Sequence, residues 1–307
     1  MTPDTIFKMK RLVLGTAQLG MNYGISNRTG KPDLNTAESI VKTAWNSGIR
    51  EFDTAQVYGN SEQVLGTVLN SLGIRNEVRI ISKLHPDIDH LNHDDMRRGL
   101  EETLSNLGIS ALYGIMLHRE EFLDFWDKGL SEILTGFARS GYVKHLGVSV
   151  YSPAKAIQAL ETDGITIVQI PTNIFDRRFE KSEIFDLAEN KGKTIYVRSI
   201  FLQGLFFLHP DSLPEHLKTA SSPLTILAAL SKDVGLDIPK LCIGYIKNNF
   251  PKTQLVFGSE SPSQVRNNVD CWNTAWPEGL TQRIQREFED IDEMILDPHM
   301  WMEGSAS

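Results

Sequence analysis

The sequence predicts one α/β domain, spanning 1–307, closed into a (β/α)8 TIM barrel, and three observations predict it. Short β-rich runs alternate with longer amphipathic segments along the whole chain; the runs number eight; and no linker, charge block or internal repeat divides the 307 residues. Such alternation marks parallel strands joined by crossover helices, and eight units are what closure requires. An open doubly wound sheet shares the periodicity, but no G-x-G-x-x-G follows a strand, which weakens that alternative.

In chain order, strands are expected over 11–14, 50–52, 78–82, 112–117, 145–148, 165–170, 194–197 and 255–257. Helices are expected over 35–47, 61–69, 93–107, 129–140, 153–160, 181–190, 222–234, 239–249 and 262–268. Asn35 before Thr-Ala-Glu and Ser152 before Pro153 carry the chemistry of helix starts. Two stretches exceed the eight-unit plan. Residues 202–223 form a long connection after the seventh strand, of the kind that covers a ligand, and 281–297 reads as an extra acidic amphipathic helix. Residues 304–307 carry no structural pattern.

Composition narrows the partners. The chain is 41% hydrophobic and 23% charged, ordinary for a globular protein, and its net charge of -8 offers no attraction to nucleic acid or anionic lipid. The basic start is followed by no apolar segment of about 7–15 residues, and no run reaches about 18, so neither a signal peptide nor a membrane span is expected. Cys242 and Cys271 lie in apolar or amphipathic stretches and read as reduced thiols, which points to a cytoplasmic location. His85, His90 and His93 surround Pro86 and Asp87 in a loop and read as solvated groups rather than metal ligands.

Barrel enzymes place their reacting groups just past the C-terminal ends of strands. Asp53 follows the second strand, Tyr58 sits five residues on in the same loop, Lys83 ends the third strand and His118 ends the fourth. Alone, each has an ordinary structural reading: a cap, a turn residue, a snorkelling lysine, a satisfied imidazole. On three successive strand ends they make a chemical unit. A phenol is a poor acid near neutral pH unless a cation favours its ionised form; a lysine held by an aspartate supplies one, and an imidazole can orient a carbonyl oxygen.

The segment FDTAQVYGNSEQVLG, residues 52–66, resembles the signature of the aldo-keto reductases. LGTAQLG (14–20), GVSVY (147–151), VQIPTN (168–173), VRSIFLQGL (197–205) and FGSESPSQVRNN (257–268) are similar to further blocks of that family, in family order. The resemblance implies an enzyme that reduces a small-molecule aldehyde or ketone with NAD(P)H, or runs the reverse reaction. It makes Tyr58 the general acid, Lys83 the group that lowers its pKa, Asp53 the partner of Lys83, and His118 the group that orients the carbonyl. It also assigns the cofactor site. Ser149 and Gln169 would hold the carboxamide, with Thr16, Ala17 and Asp53 beside the ring. Ser199, Leu202, Gln203 and Gly204 would cover the diphosphate, and Gly258, Ser259, Ser261, Gln264 and Asn268 would surround the adenosine.

Three positions depart from the family pattern. Val150 stands where an asparagine usually follows the serine; Arg198 stands where many members stack a tyrosine on the nicotinamide; and Glu260 lies where NADPH users present cations. The last favours NADH or dual use, since a carboxylate repels a 2'-phosphate and accepts bonds from ribose hydroxyls. Gln56, Arg119, Arg177, Met21 and Tyr23 are expected around the mouth and suggest a polar, sugar-like substrate, with surface ion pairing the alternative for the two arginines. Trp272, Trp276 and Trp301 read as packing for the terminal helix. Two other readings remain open: a cofactor-binding regulatory subunit with little turnover, and a barrel enzyme using Lys83 as a Schiff base.

Overall fold

The computed structural model describes residues 11–298 and 300–303. Eight parallel strands close in sequence order: β1 (Leu12–Gly15), β2 (Glu51–Asp53), β3 (Arg79–Lys83), β4 (Leu112–Leu117), β5 (Val143–Ser149), β6 (Ile165–Pro171), β7 (Thr194–Arg198) and β8 (Gln254–Phe257), with β8 pairing back to β1 through Leu12 and Leu255. All eight expected strands form, each within a few residues of its predicted bounds. Helices cover the outside: α1 (Leu34–Asn46), α2 (Ser61–Ser71), α3 (His93–Leu107), α4 (Leu130–Arg139), α5 (Pro153–Glu161), α6 (Ile184–Asn190), α7 (Ser221–Val234), α8 (Ile238–Asn249), α9 (Pro262–Trp272) and α10 (Leu280–Glu287).

Several boundaries follow from caps. Asp33, not Asn35, caps α1, its carboxylate accepting from Thr36 N at 2.7 Å; Ser152 caps α5 as expected. The expected helix over 181–190 is broken at Glu183, whose φ is 56°, so only Ile184–Asn190 is α-helical. The acidic terminal helix also divides. α10 stops at Phe288, which is buried against Phe175, and a separate turn follows at Glu293–Leu296. The long connection after β7 is built of 3-10 turns at Leu202–Phe207, Pro210–Ser212 and Glu215–Ala220. Residues 1–10 and 304–307, on which the readings of the chain start and tail fell, lie outside the described residues.

One hydrophobic core lies between strands and helices, and a second fills the barrel with Val13, Ile81, Met116, Ile167, Tyr196 and Val256. The Tyr196 hydroxyl donates across the barrel to the buried Glu51 carboxylate. Burial pushes the Glu51 carboxyl up, while Tyr196 and Arg79 oppose that shift. A carboxylate this deep is tolerable only while hydrogen-bonded. Tyr196→Phe is therefore expected to lower unfolding free energy by about 1–3 kcal/mol at neutral pH. A raised carboxyl loses stability as pH rises, so the loss should shrink at mildly acidic pH, where Glu51 takes up its proton. Urea denaturation at the two pH values checks both.

Candidate active site

The C-terminal ends of β2 and β3 bring Asp53 and Lys83 together. Lys83 is 1% and Asp53 4% exposed, and the Lys83 Nζ donates to both Asp53 oxygens at 2.8 Å and to Thr54 O at 3.1 Å. An ammonium has three donors, and all three are engaged. Gln169, at the far side on β6, donates its Nε2 to Asp53 Oδ1 at 2.8 Å. Its Oε1 is buried without a partner.

Tyr58 is carried on the β2 loop, which is held by a close backbone crossing. A Cβ on Gly20 would lie 1.8 Å from Tyr58 O, and one on Gly59, at φ +58°, would lie 2.4 Å from Gly20 O. Only glycine allows this approach. Ser61 Oγ donates to Thr16 O at 2.7 Å, and Thr16 N donates to Asp53 O at 2.9 Å, tying the β1 and β2 loops together. The Lys83 Nζ then sits 5.2 Å from the centre of the half-buried Tyr58 ring. His118, just past β4, presents its ring edge-on to Tyr58 at 5.9 Å. All four predicted groups thus meet at one mouth of the barrel.

The electrostatics differ from the simple expectation. Burial and the Asp53 charge hold the Tyr58 hydroxyl above its ordinary value, and the cation that pulls it down is Arg198. Burial also depresses Lys83, opposed by Asp53. His118 is lowered to about 3, first by burial and then by Lys83, Arg198, Arg119 and His85. The neutral imidazole leaves Nδ1 buried with no partner. Arg198, ending β7, lays its guanidinium 4.2 Å from the centre of the Tyr151 ring and donates from Nη1 to Ser199 Oγ at 3.2 Å. Tyr23 completes the cluster, with its hydroxyl pushed up by burial and by Tyr58.

Beside this mouth runs a cleft of about 410 Å³. Ser199, Gln203, Gly204, Gly258, Ser259, Gln264 and Asn268 line it, as expected of a cofactor groove. Leu202 is instead buried in the core, and Ser261 caps α9 by accepting from Gln264 N at 3.3 Å. Thr16, Ala17 and Ser149 are buried at the inner end of β1 and the end of β5. Gly204, at φ +92°, packs so closely that a Cβ would lie 2.1 Å from Ser26 Oγ, and Ile25 N donates to Gln203 O at 2.9 Å. The β1 and β7 loops therefore close over the cleft together. Ser259 Oγ, on the lining of this groove, is buried without a partner, and Gln169 Oε1 is a second such atom beside Asp53, so a polar ligand fits here.

Other expectations resolve differently. Gln56 turns away from the mouth: its Nε2 donates to Gly99 O at 2.7 Å and its Oε1 accepts from His85 N at 2.5 Å. Arg177 binds Glu180 at 3.0 Å and Gln285 O at 2.5 Å, anchoring α10 rather than substrate. Val150 is wholly buried in the core, so it offers the cofactor groove nothing. Trp272, Trp276 and Trp301 pack or bond within the terminal region. His90 stacks on Phe122 at 3.7 Å, while His85 and His93 lie near Asp87 and Asp94. Sequence reasoning missed Gln18, Arg28 and Tyr151. The long β1 loop was the one available signal for Arg28; nothing in local pattern places Tyr151 under Arg198.

The Aldo/keto reductase family model matches residues 11–286, and the chain belongs to that family of oxidoreductases. Aldo-keto reductase YhdN of Bacillus subtilis is 24% identical over 321 residues, spanning 96% of this chain and 94% of its own. A Schizosaccharomyces pombe protein provisionally named a voltage-gated potassium channel subunit beta is 23% identical, spanning 84% and 85%. A solved structure from Pseudomonas aeruginosa, provisionally named an aldo-keto reductase, superposes with a TM-score of 0.66 over 85% of this chain and 89% of its own, at 20% identity. Among the described residues no helix is long and apolar enough to cross a membrane, and no cluster of His, Cys, Asp and Glu could hold a metal.

The depressed His118 makes a pH prediction. The folded imidazole should stay neutral down to about pH 4, whereas the unfolded one protonates near its ordinary 6.5. Stability is then lost as pH falls from 6.5 toward 3. Nitrogen-15 NMR of labelled histidines reads the titration; a His118 midpoint near 6.5 overturns it.

Proposed function

We propose that this protein reduces a polar aldehyde or ketone to the alcohol with NADH, or with either nicotinamide cofactor, and runs the reverse oxidation when the balance of substrates demands. The observation that carries the reading is the buried Lys83–Asp53 pair beneath Tyr58 and His118, beside a groove on which Ser259 Oγ is buried and unpaired. A bound reduced nicotinamide supplies the two electrons and one hydrogen that turn C=O into CH–OH. The chain's own groups do the rest. Tyr58 donates its proton to the carbonyl oxygen as negative charge develops there, which is when a weak phenolic acid becomes effective. His118, neutral and edge-on, orients that oxygen. Lys83 has no donor left for the phenol; held in place by Asp53, its charge acts on His118, and the cation whose field favours the ionised phenol is Arg198 rather than Lys83.

In the groove, Gln169 and Ser149 would hold the carboxamide, Thr16 and Ala17 the face beside the ring, and Ser199, Gln203 and Gly204 the diphosphate. Ser259, Gln264 and Asn268 would take the adenosine, beside Glu260. Burial raises the Glu260 carboxyl only in opposition to its bond with Gln264, and Arg28 faces the same cleft. The complete set of four catalytic groups favours turnover over a purely regulatory role.

Tyr58→Phe is expected to lower kcat about 10²–10⁴-fold while leaving the cofactor Kd within about twofold. Near-normal kcat would remove Tyr58 from the role. Separately, fluorescence titration should give a Kd for NADH no weaker than for NADPH, and Glu260→Gln should tighten NADPH by about two- to fivefold, the size of one screened charge. A strong NADPH preference in the unaltered protein would refute the cofactor reading.

A further inference from the structure

We propose that the carbonyl substrate carries a negatively charged group, a carboxylate or a phosphate, held between the free edge of Arg198 and Arg119 at the catalytic mouth. The inference rests on the carbonyl-reduction reading and names the substrate class for that site.

The chain as a whole is acidic, with a net charge of -8, yet its mouth is not. Asp53 is the carboxylate of the catalytic group, and its oxygens are already taken by Lys83 and Gln169, so that pair is neutral as a unit. Glu120, next to Arg119 in the chain, faces away: its oxygens accept from Tyr151 N at 2.6 Å and from Ser152 N and Oγ at 3.0 Å. Among the described residues Arg119 has no carboxylate partner and stands exposed beside His118. Among the described residues neither Arg198 nor Arg119 forms an ion pair with a carboxylate, and both act on His118.

The geometry of Arg198 then says what it can hold. One face of its guanidinium lies on Tyr151, and Nη1 is engaged by Ser199. Nη2 is buried with no hydrogen-bond partner. A guanidinium stacked by its face keeps its edge for a planar or tetrahedral oxyanion, and a buried charged donor left empty is unfavourable until something fills it. The Glu120 bonds to Tyr151 N and Ser152 N fix the loop that carries the Tyr151 ring, so the stack is prearranged rather than incidental. Arg198 is also not in the wall of the cofactor cleft, where Arg28 is the cation present. Its guanidinium lies instead against the Tyr151 ring, and its charge acts on Tyr58, Tyr23 and His118 at the mouth. An anion held there would sit at the same mouth as Tyr58 and His118.

Two matched pairs of aldehydes test this: succinic semialdehyde against butanal, and glyceraldehyde 3-phosphate against glyceraldehyde, each assayed with both cofactors. The charged member is expected to exceed its neutral partner by about ten- to hundredfold in kcat/KM, as one charge-assisted bond gives. A preference in the first pair alone assigns a carboxylate, in the second alone a phosphate, and in both an anion site that accepts either. Arg198→Gln and Arg119→Gln should each bring the charged-to-neutral ratio down toward one. Raising ionic strength from about 0.05 to 0.5 M should do so in part, a response that mere structural damage would not produce. Equal kcat/KM within both pairs overturns the anion site while leaving carbonyl reduction standing. Equal losses on both members in Arg198→Gln also overturn it. No turnover of any of the four aldehydes defeats the carbonyl-reduction reading itself, and this inference with it.

Discussion

An ammonium and a carboxylate buried side by side at the rim of the barrel constrain everything around them. Taken out of water, either charge alone would be intolerable; together they persist only because every donor of Lys83 and both oxygens of Asp53 are engaged. The two groups end β2 and β3, so the strand ends place them side by side. The same requirement recruits Gln169 from across the barrel, so the ion pair and this amide share one hydrogen-bonded unit. The barrel supplies the rigidity: strands paired on both sides leave the pair no means of relaxing.

On that base the loops are positioned by backbone proximity rather than by side-chain bulk. The Gly20–Gly59 crossing brings the β1 and β2 loops into direct contact and sets the phenol over the ion pair. A similar economy of space at Gly204 lets the β7 loop meet the β1 loop over the cleft. Both contacts tie the cleft to the mouth that holds Tyr58 and the ion pair. The field at the mouth follows from the same packing. Burial makes the phenol a weaker acid and the imidazole a weaker base, and Arg198 is the cation that opposes the first and reinforces the second.

Much of this was legible in the residues. Apolar periodicity located all eight strands because a strand buried on both faces must be apolar throughout, and that demand is local. The four residues proposed for catalysis were legible because Asp53 and Lys83 end their strands and Tyr58 and His118 follow in the loops beyond, where a barrel places its reacting groups. Helix interruptions were less so. Glu183 in a left-handed conformation and Phe288 pulled into the core break helices whose local pattern is continuous, because packing from distant segments overrides propensity. Gln56 and Arg177 lie in mouth loops by position, yet their side chains turn to Gly99 and Gln285, partners 43 and 108 residues away.

The sequence by itself determined the closed barrel, the chemical types at its mouth and the family to which the chain belongs, because periodicity and strand-end position are properties of short segments. Tertiary structure alone decided which charges remain unpaired there. Whether Glu120 neutralises Arg119 or instead binds the backbone of Tyr151 and Ser152, and whether Arg198 meets solvent or an aromatic face, depends on distances between loops from different strands. Coulomb and hydrogen-bond energies fall steeply over a few ångströms, and no linear reading of residues supplies those separations.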